Sequence, residues 1–448
     1  MNLKRHLLAV ACAAAFAAGG PAWAKATQAE ADRLGVDLTP VGAEKAGNKD
    51  GTIPAWDGGL TAPPAGFKPG AGYVDPFASE KPLFTITKTN AEQYKDKLTA
   101  GELALLNKYA NFKMPVYPTH RTAAYPKAIT DRVKEQATKV ELQGFGLANV
   151  GGTTVPFPLP KSGIEVVWNH NVRYLGGGLF RTVAAFPVRA NGSNFEIKQD
   201  ELRVFSQNMD APEPNRLLYF RAALLSPATL SGTVTLVHEP LDQVKEKRSA
   251  WIYNAGQRRV RRAPDLAYDA ITDGTEGMRT TDQYDAYNGA PDRYDYKLLG
   301  KKEIYIPYNA YKLADKTVKY AQIIQTGTIN ADMVRYELHR VWVVDATLKP
   351  DEKHVFGRRT FYVDEDSWSV VWEDAYDSRG SLWRVGMHPL MQFYDSGLAW
   401  YSANVWHDLS NGGYFAASLM NEEAMWKFNI KGKLADFQPD ALRRAGTQ

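Results

Sequence analysis

The stretch from Tyr336 to Val385 constrains the fold more than any other part of the chain. Its runs, among them YELHRVWVV, RRTFYV and WSVVWEDAY, alternate β-branched or aromatic residues with polar ones, and Asp, Ser, Gly and Pro fill the breaks. The pattern predicts a β-meander in which Trp368, Val370 and Trp372 share one face of a strand. Because both faces of these strands carry apolar residues, both must be covered, or the sheet must curl around something apolar.

Residues 1–24 have the organisation of a secretory signal. Lys4 and Arg5 form a basic start, an apolar run follows, and Ala22-Trp23-Ala24 is a small-x-small cleavage site. We therefore expect cleavage after the last of these residues and export of the chain that follows. In an alternative interpretation Cys12 is the acceptor of a lipoprotein signal, although the three residues before it lack the usual Leu.

Cysteine content and charge exclude several classes of function. The chain has one Cys in 448 residues, and it lies in the signal, so the mature protein has no disulfide, thiol nucleophile or thiolate metal ligand. The formal net charge falls from +4 to +2 once the signal is removed. A near-neutral chain does not favour a nucleic acid as the partner.

A Gly- and Pro-rich arm is predicted for residues 25–88. Such residues support few ladder hydrogen bonds, so we expect an extended segment that Ile53, Trp56 and Phe67 anchor to the main body. Low hydrophobicity and many turn residues fit a disordered arm equally, and that alternative stays open. The remainder, 89–448, is predicted to be a single domain.

Helices are predicted for residues 90–144. Two pairs of residues have the spacing of a capping box: Asn90 with Gln93, and Thr99 with Glu102. A longer helix is predicted from Pro126 to Gly144, with an apolar stripe along one side. Because it has a single stripe, we expect it to lie across the sheet.

From about residue 163 the pattern changes to strands. The predicted strands are Glu165–His170, Leu179–Val188, Phe195–Phe205, Arg216–Leu225, Thr233–His238, Ala250–Tyr253, Arg258–Arg262, Lys302–Ile306, the meander, Met391–Tyr394 and Trp400–Asp408. Short turns between successive strands imply antiparallel neighbours. We predict a mainly β (α+β) fold with one large, strongly curled antiparallel sheet and helices packed against it.

Three blocks of sequence carry a resemblance to a known family. They are DLTPVGAEKAGNKDGTIPAWDGG (37–59), WIYNAGQRRVRRAPDLAYD (251–269) and DRYDYKLLGKKEIYIPYNAY (292–311). Together they resemble the domain-of-unknown-function 1329 family of exported Gram-negative proteins, over nearly the whole mature chain. Members of that family are classed as similar to LolA and LolB, carriers of lipoprotein acyl chains.

The resemblance implies a fold, a location and a partner. LolA and LolB form an open half-barrel with a helical plug over an apolar cavity, and we expect the same architecture here. The resemblance also implies the periplasm as the location and a resistance-nodulation-division transporter as a partner. This chain is considerably longer than LolA and has an arm before the sheet, so the lipoprotein ligand itself is not carried over.

Aromatic side chains are the candidate ligand contacts. Ten tryptophans lie in the mature chain, most of them on predicted strands. Each buries ~150–250 Å², so a curled sheet lined with them makes either a dense core or an apolar pocket. The candidate lining residues are Trp251, Tyr253, Tyr305, Trp342, Phe361, Trp368, Trp372 and Trp383. A shift of one residue in register would move each to the opposite face.

Four arginines form the candidate site for an anion or a lipid headgroup. Guanidinium groups bind phosphate or carboxylate bidentately. On a strand, Arg258 and Arg262 face opposite to Arg259 and Arg261, so at most two of them serve one site. The alternative is a charged edge strand that opposes aggregation, or pairing with nearby aspartates.

No catalytic, metal or cofactor site is predicted. The chain lacks HExxH, GxSxG, a Gly-rich phosphate loop and a dinucleotide fingerprint. Asp364-Glu365-Asp366, and Asp374 with Asp377, could hold calcium, but hairpin turns favour the same residues.

The sequence predicts a non-enzymatic carrier or binding protein for a hydrophobic small molecule or lipid. Transfer requires the cover of the cavity to open, and the helix from Pro126 or the loop 274–289 is the expected moving part. One alternative is an adaptor that docks on an outer-membrane or transporter partner through the arm and exposed aromatics. The other is a hydrolase with a distributed carboxylate pair.

Overall fold

The computed structural model describes residues 25–243, 245–264, 266 and 268–446. The predicted signal lies outside these residues. Within them, no helix has the length and apolar character needed to cross a membrane. The α-helices are short: α1 Gln28–Ala31, α2 Ala100–Lys108, α3 Lys127–Gln136, α4 Gly163–Val172, α5 Tyr320–Ile323 and α6 Leu442–Ala445.

Strands make up most of the regular structure. They are β1 Phe84–Ile86, β2 Met114–Val116, β3 Glu141–Gln143, β4 Gly146–Ala148, β5 Gly178–Val188, β6 Ile197–Phe205, β7 Arg216–Ser226, β8 Val234–Pro240, β9 Ser249–Asn254, β10 Arg259–Arg262, β11 Tyr294–Pro307, β12 Tyr336–Leu348, β13 Arg358–Asp364, β14 Val370–Tyr376, β15 Leu382–Met387, β16 Leu390–Phe393, β17 Leu398–Tyr401, β18 Asn404–Asp408, β19 Tyr414–Leu419 and β20 Lys427–Phe428.

One 16-stranded sheet organises the fold, in the order β1-β2-β12-β13-β14-β15-β18-β19-β5-β6-β7-β8-β9-β10, with β11 also paired to β12 and β20 to β5. Its strands pair antiparallel apart from one parallel contact, between Tyr336 and Val116. The prediction of a mainly β fold around one large sheet is confirmed, although the sheet is mixed rather than purely antiparallel. The ends of the path, β1 and β10, do not pair with each other among the described strands. The strongly curled half-barrel stays a prediction.

The segment predicted as a strand at 165–170 is helical and belongs to α4. Glu165 accepts a hydrogen bond from the backbone nitrogen of Ser162 at 3.2 Å, which satisfies one of the free donors at the start of this helix. Nearly every residue of α4 is buried, including Val166 and Trp168. A helix buried on all sides has no polar face, so its run of apolar residues cannot be distinguished from a buried strand by periodicity. The strand prediction was wrong for that reason.

Two further helix predictions are corrected by the structure. The helix predicted to reach Gly144 ends at Gln136, and the residues after it form the β3–β4 hairpin. Gly144 has φ +60° in the turn of that hairpin, a conformation that favours glycine. Asn90 precedes a 3₁₀ helix without a side-chain cap. The capping box of Thr99 and its partner at the start of α2 is confirmed.

The arm, residues 25–88, packs against the rest of the protein at its predicted anchors. Ile53 is buried within the main hydrophobic core. The indole nitrogen of Trp56 donates a hydrogen bond to the backbone oxygen of Ala123 at 3.3 Å. Phe67 meets the ring of Tyr394 edge to face, with 5.1 Å between ring centroids. Packing and hydrogen bonding therefore hold residues 25–88 against the rest of the chain, and the last part of the arm contributes β1 to the sheet.

The meander consists of β12 to β15, and a bulge alters its predicted faces. Tyr362 pairs with Trp372, whereas the next residue, Val363, pairs with Val370. Cross-strand partners point to the same face, so Val370 and Trp372 point to opposite faces. Trp368 lies in the turn before β14 with φ +56°. The prediction that these three residues share a face was wrong because strict alternation fails at a bulge.

Helix α2 packs on the meander beside a buried carboxyl group. The backbone nitrogen of Gly101 donates to Oδ1 of Asp374 at 3.0 Å, and the hydroxyl of Tyr362 donates to Oδ2 at 3.2 Å. Burial, the largest effect, raises the pKa of Asp374 to about 7. Folding therefore favours its protonated form, since the ordinary pKa of 3.8 applies to the unfolded chain.

We expect Asp374→Asn to weaken the dependence of stability on pH. The contribution of this group is fully present below about pH 4 and is lost as the pH rises through about 7. Asparagine does not ionise, so the fall in unfolding free energy from about pH 4 to about pH 8 should be smaller in the variant by at least about 1 kcal/mol. Urea unfolding at both pH values measures this. The exposed Asp131→Asn on α3 is the control, and equal pH profiles for the two variants would contradict the prediction.

Candidate ligand cavity

A cavity of about 220 Å³ lies against one face of the strands β6 to β9. The strands contribute Gln199, Arg203 and Phe205 from β6, Leu218, Phe220, Ala222 and Leu224 from β7, Thr235, Val237 and Glu239 from β8, and Ile252 from β9. Along β7 every second residue lines the cavity, as expected when a single face borders it. Ala222 pairs with Thr235, and Thr235 pairs with Ile252, so the same face continues across three strands.

The segment between β10 and β11 closes the cavity from the opposite side. We call residues 268–288 the cover loop. Its lining residues are Ile271, Thr272, Asp273, Arg279, Thr281, Tyr284, Asp285, Tyr287 and Asn288. Leu266 before the loop, Asn171 and Leu175 near the end of α4, and Thr233 and Arg248 just before β8 and β9 complete the wall. The cavity therefore lies between a strand face and a loop that is distant from it in sequence.

The second half of the cover loop is anchored by buried charged groups. Asp282 accepts from Nη1 of Arg359 at 2.6 Å and lies 3.1 Å from Nε2 of His354. Gln283 donates to Glu373 of β14 at 2.9 Å. Burial acts to raise the pKa of Asp282, but the charge of Arg359 and the contact with His354 outweigh it and lower the pKa well below its ordinary value. This half of the loop is held to the meander by ionised groups.

The first half of the cover loop is more exposed. Ile271 is 60% exposed. Glu276 pairs with Arg189 on the surface, where the arginine side chain is 62% exposed, and surface ion pairs contribute only ~0–1 kcal/mol. The loop predicted to move, 274–289, does lie over the cavity, and its outer part is the less firmly held. Its movement stays a prediction.

A second cleft, of about 640 Å³, separates the arm from neighbouring loops. Its walls include Trp56, Tyr125 and Tyr394 together with Pro and Gly residues of several loops. No strand face forms a continuous wall among its described lining residues. Ligand sites in proteins are mostly enclosed and apolar with a few placed polar groups, and the sheet cavity fits that description better.

Three buried residues, His339, Asp364 and Asp366, have ligand atoms within 4.8 Å of one another, as a metal site requires. Both carboxylate oxygens of Asp366 accept from Arg121, at 2.8 and 2.7 Å. Burial, reinforced by Asp366, raises the pKa of Asp364 to about 7. A guanidinium already occupies the position in which a cation would bind Asp366, so this group fits a buried ion pair better than a metal centre.

Comparison with known proteins identifies the family. The model of a family described as "Protein of unknown function (DUF1329)" matches residues 85–443. The chain belongs to the DUF1329 family. The uncharacterized protein PA3922 of Pseudomonas aeruginosa is 50% identical to this DUF1329 chain over 428 residues, which is 94% of each protein.

Several solved structures are similar over part of this DUF1329 chain. A domain from Vibrio parahaemolyticus described as an outer-membrane lipoprotein-sorting protein is 13% identical and covers 60% of this chain and 92% of its own, with a TM-score of 0.43. A DUF1329 protein from Desulfovibrio piger is 15% identical with the same coverages and a TM-score of 0.41. The LolA superfamily protein NE2245 from Nitrosomonas europaea is 11% identical, covers 63% and 99%, and has a TM-score of 0.39. Likenesses at this level say nothing about a ligand.

The eight aromatic residues predicted to line a pocket in this DUF1329 chain are not among those that line the cavity. Trp251 and Tyr253 point from β9 to the face opposite Ile252, where they pack with Phe437 and Leu442. As ligand contacts all eight remain predictions.

The other six predicted residues belong to the meander and its neighbours. Trp372 is fully buried, and its indole nitrogen donates to the backbone oxygen of Tyr305 at 3.1 Å. Trp342 stacks on Trp368 with 6.3 Å between centroids. Phe361 is buried beside Tyr287, at 5.0 Å between ring centroids, and Trp383 donates to Asp408 at 3.1 Å. Tyr305, Phe361, Trp368 and Trp372 are buried around the meander, whereas Trp342 and Trp383 are partly exposed.

The predicted headgroup arginines lie on the edge of the sheet. Arg259, Arg261 and Arg262 are exposed on β10, the last strand of the path. Arg258 precedes it with φ +52° in the turn from β9. Their position suits the alternative of a charged edge that opposes strand addition. Binding of an anion by these four residues stays a prediction.

Three arginines that line the cavity, Arg203, Arg248 and Arg279, were not among the predicted site residues. The sequence did indicate the position of Arg203, because it lies two residues from Phe205 on a predicted strand and therefore on the same face. A charged residue on an apolar face is informative when it is buried. Arg279 lies in a loop, and nothing in its local sequence indicated where its side chain would point.

Proposed function

We propose that this DUF1329 protein is a non-enzymatic carrier or binding protein for a hydrophobic ligand, held in the cavity between β6–β9 and the cover loop. The observation that supports this most is the continuous apolar strand face, formed by Leu218, Phe220, Ala222, Leu224 and Val237, beneath the cover loop. The volume of the cavity, about 220 Å³, exceeds the ~150 Å³ of an apolar cavity known to accept benzene.

A periplasmic location completes the proposal. The signal-like organisation of residues 1–24 supports export. A hydrophobic molecule that crosses an aqueous compartment needs its apolar surface covered, and the cavity between β6–β9 and the cover loop would provide that cover. The resemblance to exported Gram-negative proteins supports a transporter of the resistance-nodulation-division type, or an outer-membrane protein, as the partner that delivers or receives the ligand.

Filling the cavity tests the proposal. Ala222→Trp adds an indole to the wall from the middle of β7, and we expect affinity for the neutral probe N-phenyl-1-naphthylamine to fall at least about tenfold, measured by fluorescence titration. Leu225→Trp is the matched control, because Leu225 lies on the same strand, is 43% exposed and is absent from the lining. Native mass spectrometry of the purified wild type should show a bound lipid-like molecule. A wild type that binds neither lipid nor probe, or equal affinities in the two variants, would overturn the proposal.

A further inference from the structure

Two arginines in the cavity wall lack an acid partner. Arg203 of β6 is only 3% exposed, and its Nε and Nη2 are buried with no hydrogen-bond partner among the described residues. Nε of Arg279 in the cover loop is also buried and has no hydrogen-bond partner among the described residues. Neither guanidinium belongs to any ion pair found within the described part of the chain. A buried charged donor without a partner costs at least ~1–3 kcal/mol, so a group that supplies acceptors would be strongly favoured here.

The carboxylates closest to these arginines are already engaged by other donors. Asp285 accepts from Nη2 of Arg173 at 3.1 Å. Glu201 accepts from Nε of Arg181 at 2.6 Å and from the hydroxyl of Tyr284 at 2.8 Å. Each of these acids therefore neutralises one arginine other than the two in question. The positive charges of Arg203 and Arg279 remain unmatched at this end of the cavity.

The other two acids of the wall, Glu239 and Asp273, do not pair with Arg203 or Arg279 either. Glu239 pairs with Nε of Arg248 at 2.6 Å, so these two charges compensate each other. Asp273 is exposed on the outer part of the cover loop and forms no ion pair within the described residues. The wall thus combines an apolar strand face with two arginines, Arg203 and Arg279, that form no ion pair among the described residues.

Aromatic rings hold both guanidinium groups in place. Cζ of Arg203 lies 4.4 Å from the centroid of the Trp400 ring. Cζ of Arg279 lies 5.2 Å from the ring of Phe415 and 5.5 Å from that of Trp406. Stacking fixes the plane of a guanidinium while leaving its N–H edge free to donate. Burial lowers the pKa of Arg279 to about 10, which still keeps it cationic at neutral pH.

We propose that the cavity selects an anionic amphiphile, whose carboxylate or phosphate head is bound by Arg203 and Arg279 and whose tail lies along the apolar face of β7 and β8. This inference rests on the proposed function and specifies its ligand class. Charge-assisted hydrogen bonds from guanidinium groups to an oxyanion are short and strong, and they act here in a site largely removed from water. The cover loop would then contribute directly to headgroup binding, since Arg279 is part of it.

A matched pair of probes tests the headgroup separately from the tail. Wild type should bind the fluorescent fatty acid cis-parinaric acid at least about tenfold more tightly than its methyl ester. Arg203→Met and Arg279→Met should each lose most of that preference while binding the ester as wild type does. Arg221→Met is the control, because Arg221 lies on β7 between two lining residues and faces away from the cavity. Competition by oleate and by dodecyl phosphate distinguishes a carboxylate from a phosphate head.

Measurements of stability and of binding separate failure of the headgroup inference from failure of the proposed function. Arg203→Met removes an unpaired buried charge, so its unfolding midpoint should not fall, and urea unfolding verifies that the variant is folded. Arg203→Lys, which keeps the charge, should retain part of the preference for the acid. Equal binding of acid and ester by wild type would overturn the headgroup inference and leave the hydrophobic carrier intact. A preference for the acid that survives in both Met variants would also overturn it. Binding of neither probe would overturn the proposed function itself.

Discussion

Arg359→Met is expected to lower the free energy of unfolding by about 3–5 kcal/mol. Arg359 is completely buried and joins two carboxylates, with Nη1 2.6 Å from Asp282 of the cover loop and Nε 2.6 Å from Glu373 of β14. Methionine retains most of the apolar volume but leaves two buried negative charges without their partner. Removing one member of a buried ionic network is strongly destabilising because the remaining charges stay desolvated. Urea unfolding followed by tryptophan fluorescence measures the loss.

The neighbouring residue provides the control for this variant. Arg358 lies on the same strand and pairs with Asp345 at 2.7 Å, but its side chain is 47% exposed. Arg358→Met should cost less than about 1 kcal/mol, because surface ion pairs contribute little. Similar losses of unfolding free energy in Arg359→Met and Arg358→Met would contradict the prediction that the buried ion pairs of Arg359 stabilise the fold more than the surface pair. We also expect Arg359→Met to loosen the cover loop, seen as faster amide hydrogen exchange at residues 281–288.

Arg121→Met is expected to cost a comparable ~3–5 kcal/mol and to release the arm. The guanidinium makes a bidentate pair with Asp366 at 2.8 and 2.7 Å and donates from Nη2 to the backbone oxygen of Glu44 at 2.7 Å. One side chain therefore binds a buried acid of the main domain and the backbone of the arm. Its removal leaves that acid unpaired and detaches this part of the arm from the sheet domain.

Limited proteolysis distinguishes release of the arm from general instability. At a protease concentration that leaves wild type intact, Arg121→Met should be cut first within residues 25–88 while 89–448 persists as a fragment. Arg33→Met is the control, because Arg33 lies on the arm but pairs with Asp37 on the surface, where its side chain is 49% exposed. Simultaneous cleavage throughout the Arg121→Met chain would show that the arm does not detach as a unit.

The parts of the fold that were predictable are those specified by neighbouring residues. The runs at 179–188 and 216–225 appear as β5 and β7 with nearly the predicted bounds, since their alternation and flanking turns are local signals. The capping box of Thr99 is also local and appears as predicted. Periodicity failed at 165–170, because α4 is enclosed by other elements and shows no polar face.

The cavity depends on contacts that no local pattern contains. Alternation in β9 correctly separates Trp251 and Tyr253 from Ile252, yet it does not say which face the rest of the chain will fill. Phe437 and Leu442, from the C-terminal end, pack against the two aromatics, while the other face borders the cavity. Segments far away in sequence therefore determined which side of β9 borders the cavity, and residue type and alternation alone could not indicate this.

The sequence by itself determined that this is a DUF1329 chain built on many short β-strands. Tertiary structure alone decided that Arg203 of a strand and Arg279 of a loop line the same cavity while nearby acids are paired elsewhere. The physical reason is that backbone periodicity acts over a few residues, whereas burial and charge balance depend on every segment that packs around a site.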